Sequence, residues 1–210
     1  MADTAGVLRT DLVDAVAAYQ YYLDGQGKPR EFSDDRYVMN DNCGRVTLRN
    51  AILEAQYFAI ELYKSHRRTQ FNFTGPAIPC GSFSSQFAQL SMMYPYPATE
   101  NWQKAIGAHY IWLSASVRVA IDPRTSAAPE FSMDFVIHAE DQYNFNPGAK
   151  DIATGLPDDA NGRFVVVGLA HGYRNNATLK RSFNWKGYQL GVASKGIRIH
   201  MRTDKPELNR

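Results

Sequence analysis

The sequence is poor in several things. Of its 210 residues only two are cysteine, Cys43 and Cys80, and their spacing fits no zinc motif. Two free thiols in a reducing compartment is the plain reading. A Cys43–Cys80 bridge stays open to a chain that reaches an oxidising one. No apolar run approaches the roughly 18 residues of a membrane-spanning helix. The start, "MADTAGVLRTDLVDAV", has no basic segment followed by an apolar one, so a secretory signal is not expected. There is no G-x-S-x-G elbow, no H-E-x-x-H and no glycine-rich loop of Walker type. "GLAHGY" at 168–173 lacks dinucleotide spacing, and nothing beside Cys43 marks an activated thiolate. Internal repeats and low-complexity tracts are missing too. These absences leave a globular chain without a ready-made catalytic signature.

The hydrophobic content of 44% and the aromatic content of 12% are enough to bury a core without staples. The length suits one large domain, or a domain with a small appendage. The net charge of +2 hides an asymmetry. From Arg174 onward there are nine basic residues, and only Asp204 and Glu207 are acidic. Such a stretch suits a phosphate, an anionic membrane surface or nucleic acid, or it is simply a solvated surface. The basic residues are not interleaved with a nucleic-acid-reading motif, so a nucleic-acid partner is not expected.

Periodicity divides the chain. Residues 10–23 read as a helix capped by Thr10, with Leu12, Val13, Val16, Ala17, Tyr19 and Leu23 as its apolar stripe. "DGQGKP" ends it. A stronger helix begins at Thr47, with Leu48, Ala51, Ile52, Ala55, Phe58, Ala59, Leu62 and Tyr63 on one face. "FNFT" at 71–74 reads as a short strand, "GPAIPCG" as a turn or loop, and "SSQFAQLSMM" as a short helix. The period then changes to two. Ile111 to Ile121 and Phe131 to Ala139 alternate apolar with polar, which predicts a long antiparallel hairpin. "RFVVVGLA" is a strand or short helix, "LKRSFNWKGYQL" a further strand and "KGIRIHMRT" a last one. Helices first and strands afterwards predict an α+β fold: N-terminal helices, residues 1–104, packed on a C-terminal antiparallel sheet, residues 105–210, as one compact unit.

The segment 139–163, "AEDQYNFNPGAKDIATGLPDDANGR", is too polar for a core and too rich in Asp, Asn, Gly and Pro for a helix. A long loop leaving a rigid strand is where sites tend to be built. In residual strand geometry Asp141 and Tyr143 share one side. A carboxylate beside a phenol and the amides of Asn144 and Asn146 can position water, orient a phosphate or hold a hard cation through oxygen. Asp151, Asp158, Asp159 and Asn161 could add to a cation site or serve only as turn formers, and "NG" at 161–162 reads as a turn. Arg163 could fold back onto Asp141 or Asp151. His138 lies on the polar strand face, and His171 precedes Arg174 by three residues; either histidine could carry protons. His109 and Trp112 are expected to flank one sheet face.

The strands "IGAHYIWLSASVRV" and "FSMDFVIHAED", followed by "DQYNFNP", resemble the catalytic region of colicin M-type bacteriocins over residues 105–163. In that family two strands lead into a D-x-Y-D segment and then a His-Arg pair. Asp141 and Tyr143 match the Asp and Tyr places. Asn144 stands where the family has an acid, and Lys150 and Asp151 stand where the pair is expected. The resemblance implies cleavage, with magnesium, of the polyprenyl-pyrophosphate-linked peptidoglycan precursor lipid II in the periplasm. It implies Asp141 as acid–base or metal-binding carboxylate, with Asp151 as a second metal candidate. Tyr143, Asn144 and Asn146 would then position substrate, His171 would be the proton carrier, and Arg163 and Arg174 would hold phosphate. The span through "GLAHGY" also resembles toxin-like domains of bacterial polymorphic and type VI-secreted proteins. That likeness implies delivery to another cell's envelope and an immunity protein as partner. Two other readings stand beside it. One is a non-enzymatic toxin that binds or permeabilises an anionic membrane, and the other is a structural or binding module of a secretion system.

Overall fold

The computed structural model describes residues 9–81, 93–122, 124, 127–145, 148, 150, 155 and 157–191. The expected helix in "SSQFAQLSMM", the expected strand in "KGIRIHMRT" and the sites at Asn146 and Asp151 lie wholly or mostly outside them. The elements are α1 (Val13–Asp24), β1 (Arg30–Glu31), α2 (Asp34–Asn40), α3 (Asn42–His66), β2 (Gln70–Thr74), β3 (Ile78–Cys80), α4 (Glu100–Ala105), β4 (His109–Ala120), β5 (Glu130–Tyr143), α5 (Asp159–Val166) and β6 (Tyr173–Lys186). This is an α+β fold with a mixed sheet, and it falls into two compact units.

The first unit comprises residues up to Ile52 together with Gly75–Leu113 and Ile137–Leu179. Its strands run in the order β1, β6, β5, β4, β3. β3 pairs antiparallel with β4, from Ile78 opposite Ile111 to Cys80 opposite His109, so "GPAIPCG" holds a strand where the sequence reads as a turn or loop. β1 lies parallel to β6, with Arg30 opposite Asn175, so the sheet is mixed where the pattern predicts a wholly antiparallel one. Two-residue β1 is too short to show a period. α2 fills a polar stretch without helical periodicity, and its cap is Ser33, whose hydroxyl accepts from Arg36 N at 3.3 Å. α3 begins at Asn42 and not at Thr47, because Asp41 Oδ1 accepts from Cys43 N and Gly44 N at 2.8 and 3.0 Å.

The second unit comprises Leu53–Thr74, Ser114–Val136 and the chain from Lys180. Its strands run β6, β5, β4, β2. β2 pairs antiparallel with β4, from Gln70 opposite Arg118 to Thr74 opposite Ser114. Ser182 hydrogen-bonds Asp134 and Lys186 pairs with Glu130, so numbers rise along β5 as they fall along β6 and the two are antiparallel. The core is aromatic. Phe131 stacks on Trp185 at 4.7 Å between ring centres, and Tyr63 of α3 meets Phe131 edge-on at 5.5 Å. Ala55, Ala59 and Tyr63, four residues apart, are buried along α3, and the alanines there keep that face narrow.

Strand alternation is strict. Ile111, Leu113, Ala115, Val117 and Val119 are buried on β4, and Phe131, Met133, Phe135, Ile137 and Ala139 on β5. β5 runs on to Tyr143, so the first residues of the expected loop are strand.

Candidate active site

The period of β5 sends Ala139, Asp141 and Tyr143 to the inner face. Asp141 thus occupies a place where the pattern calls for an apolar side chain. It is half-buried, and loss of water pushes its carboxyl up to about 8, against a small opposing pull from a hydrogen bond with the Gln142 backbone. At neutral pH it is mostly protonated and can donate a hydrogen bond. Tyr143 is buried. Its ring stacks on Tyr173 at 5.0 Å with 12° between planes, and Phe145 meets it edge-on at 5.8 Å. Burial, then the neighbouring Tyr173, Tyr19 and Asp141, push the Tyr143 phenol above its ordinary range, so it stays an O–H donor. Burial likewise pushes Tyr173 up to about 12, and its hydroxyl donates to Ala18 O at 2.9 Å.

Asp141 and Tyr143 line one cavity of about 670 Å³ within the first unit. α1 supplies Val16, Tyr19 and Leu23, and Leu12 just before it joins them, so the apolar stripe legible in the sequence fronts a cavity. The core face of α1 is a different one, made of Ala15, Ala18 and Tyr22, while Val13 and Val16 are more than half exposed. Thr10 does not cap this helix. Asn101 of α4 does, with its Oδ1 accepting from Asp14 N and Ala15 N at 2.9 and 3.0 Å. The cavity's remaining apolar surface includes Ile106 and Phe145. Its polar surface includes Asp141, Gln142, Asn144, Asp158 and the cations Lys104 and Lys150. α5 is fastened to α1 at this wall, because Tyr19 Oη donates to Asn161 Oδ1 at 3.0 Å and Tyr22 Oη to Asn161 O at 3.2 Å.

Of the residues singled out from sequence, Asp141, Tyr143, Asn144, Asp158 and Asn161 share this cavity. His171, Arg163 and Arg174 are not among its lining residues. His171 is exposed, and its backbone N–H donates to Tyr22 O at 2.9 Å. Arg174 points from the outer sheet face and reaches Glu140 at 3.7 Å. Arg163 is exposed on α5 and forms no ion pair with Asp141, since "NG" at 161–162 lies inside a helix and not in a turn. Asp158 precedes that helix, and Asp159 Oδ1 accepts from Gly148 N at 3.1 Å. His109 and Trp112 fall on opposite faces because an odd and an even position alternate. His109 is buried with Nδ1 3.0 Å from Gly107 O, and burial lowers its pKa. Trp112 stacks on His138 at 5.2 Å. The sequence gives no sign of Lys104, and it marks Lys150 only as a departure from the family's His-Arg pair. Lys104 follows Glu100 by four residues and pairs with it at 3.4 Å, which in sequence looks like an ordinary helix surface pair.

Among the described residues no group of three or more His, Cys, Asp or Glu side chains converges as a metal cage. Asp141 and Asp158 line the same cavity and offer carboxyl oxygens. That donor set fits a hard cation that arrives with phosphate oxygens and keeps much of its water, as Mg²⁺ commonly does.

No family model matches the chain, and no curated protein matches it significantly. Among solved structures it is similar to PaeM, a colicin M-like bacteriocin produced by Pseudomonas aeruginosa. The identity is 18% and the TM-score 0.45, over 84% of this chain and 52% of that one.

Proposed function

We propose that this chain is an antibacterial toxin that hydrolyses a lipid-linked pyrophosphate of the cell envelope, of the lipid II class, in the cavity of Asp141 and Tyr143. One observation carries the reading: a carboxyl held protonated and a buried phenol share a cavity that is apolar along α1 and cationic at Lys104 and Lys150. An amphipathic phosphate ester needs both surfaces. The colicin M-type pattern at Asp141 and Tyr143 supports the same substrate class.

In this scheme the isoprenoid end lies along Leu12, Val16 and Leu23, and the phosphates face the lysines. Water attacks phosphorus, the P–O bond to the leaving group breaks, Asp141 gives its proton to the departing oxygen, and the proton released by the attacking water passes to solvent, from which Asp141 is reprotonated. Tyr143 donates a hydrogen bond to a phosphoryl oxygen as charge develops there. Asn144 orients the substrate. The role first assigned to His171 passes to Asp141, and those of Arg163 and Arg174 pass to Lys104 and Lys150. A bound Mg²⁺ would be held by Asp158 together with the substrate's phosphate oxygens and would neutralise phosphate charge, which leaves Asp141 its proton. The same reading puts the site of action in the periplasm of a target cell and calls for an immunity protein in the producer.

The test is cleavage of a purified lipid-linked pyrophosphate, read as release of the phosphorylated headgroup. Asp141→Asn should lower kcat by about 10²–10⁴-fold, and Tyr143→Phe by about 10²–10³-fold. In bacteria, the chain should stop growth when fused to an export signal and not without it. Wild-type rates from both variants would sink the assignment.

A further inference from the structure

The far end of α5 is apolar and faces water. Val166 is 85% exposed, Val167 65% and Leu169 63%, with Phe164 and Val165 also exposed beside them. A short solvent-facing helix would ordinarily end on polar side chains, and contiguous exposed apolar residues mark a contact with another molecule or a membrane. This knuckle is a built feature. Gly168 takes a φ of +72°, which lets the chain turn back, and Leu169 N and Ala170 N both hydrogen-bond Phe164 O, at 2.8 and 3.2 Å. The other end of the helix packs inward through Asn161, so the apolar end is held outward.

Two observations choose the occupant. The first is continuity: Asp158 and Asn161, which open the same helix, line the cavity, and half-exposed Val16 lines it from α1. The second is charge. Arg163 on α5, next to Phe164, and Lys150 on the cavity wall are exposed cations, and the acids Asp158 and Asp159 stand at the opposite end of the helix from the apolar knuckle. Apolar side chains flanked by cations match the acyl boundary and phosphate layer of a bilayer.

We propose that the segment Phe164–Leu169 seats in the interfacial zone of a lipid bilayer and holds the cavity at headgroup level. This rests on the reading of a lipid-linked substrate: the tail stays in the membrane while its phosphate enters beside Asp141. The segment lies in the surface plane; no helix among the described residues is long and apolar enough to cross a membrane.

The test is sedimentation of the full chain with vesicles of phosphatidylethanolamine and phosphatidylglycerol. The double variant Val166→Glu, Val167→Glu should lose about tenfold or more in partitioning, and Val166→Trp should gain. Both side chains already face water, so folding is not at stake, and the double variant should cleave detergent-dispersed substrate at the wild-type rate. Asp141→Asn should bind vesicles fully and cleave about 10²–10⁴-fold more slowly, which separates docking from catalysis. Failure of the wild type to bind vesicles, or equal binding by the double variant, overturns the proposal. A wild-type dimer that the double variant dissolves would assign the knuckle to a second copy of the chain and overturn it equally.

Discussion

Asp141 is a carboxyl on an inner strand face, and its chemistry follows from that place. Burial raises its pKa to about 8 from an ordinary 3.8. Between those values the folded chain holds a proton that the unfolded chain has released, so stability falls as pH rises through that window and levels off above about 8. Asn cannot ionise and avoids this cost. Asp141→Asn should therefore stabilise the chain at neutral pH, by on the order of 1–3 kcal/mol once the carboxyl's partial exposure is allowed for, while lowering turnover by about 10²–10⁴-fold. The wild-type kcat should decline as pH passes about 8, where Asp141 loses its proton. Chemical denaturation of both proteins at pH 4 and pH 8 checks the first point: their stabilities should diverge toward the higher pH. The same difference between the two proteins at both pH values would show that Asp141 is solvated.

At the scale of elements, one buried carboxylate joins two helices. Asp41 caps α3 and also accepts from Ala98 N, Thr99 N and the Thr99 hydroxyl at 2.7–3.1 Å, just before α4. Burial alone would raise its pKa, but the hydrogen bonds from Ala98, Thr99 and Gly44 outweigh it and the net shift is downward. Its stabilisation is thus present above the ordinary carboxylate range and lost as pH falls below about 4. Asp41→Ala should cost about 3 kcal/mol, from a lost cap and stranded amides, and should flatten the acid limb of the stability curve; a loss under 1 kcal/mol in urea would refute the link. The same residue shows what a sequence hides. Period-two burial on β4 and β5 is local, so those strands were legible, and so was the side shared by Asp141 and Tyr143. The α1 stripe was legible as a period, but whether it fronts core or cavity depends on α4 and α5. The true starts of α1 and α3 depend on Asn101 and on Asp41 with Ala98 and Thr99, partners remote in sequence. His171 and Arg174 looked like neighbours of the site because they follow it closely in the chain, and strand alternation together with the turn after α5 sent them elsewhere.

At the scale of the whole molecule, the question is whether folding depends on the compartment. A toxin of the envelope would meet an oxidising space, and two cysteines make a bridge conceivable from composition alone. The structure has both thiols free: Cys80 buried on β3, and Cys43 half-buried in the first turn of α3. Burial pushes both thiols up, Cys80 strongly, with the carboxylates of Asp34 at Cys80 and Asp41 at Cys43 adding to it. Little thiolate exists at neutral pH, and the thiolate is the species that attacks or is oxidised. Stability instead comes from packing, as in the Phe131–Trp185 stack, and from buried hydrogen bonds, as at Asp41. A chain purified from oxidising and from reducing conditions should therefore show the same mobility on a non-reducing gel. Each thermal transition should keep its midpoint to within about 1 °C when reductant is added. A native bridge would behave differently: its loss typically costs 2–5 kcal/mol and would lower a midpoint by roughly 4 °C or more. A drop of that size on reduction would mean that Cys43 and Cys80 meet in the active protein, and that the fold is completed only after export.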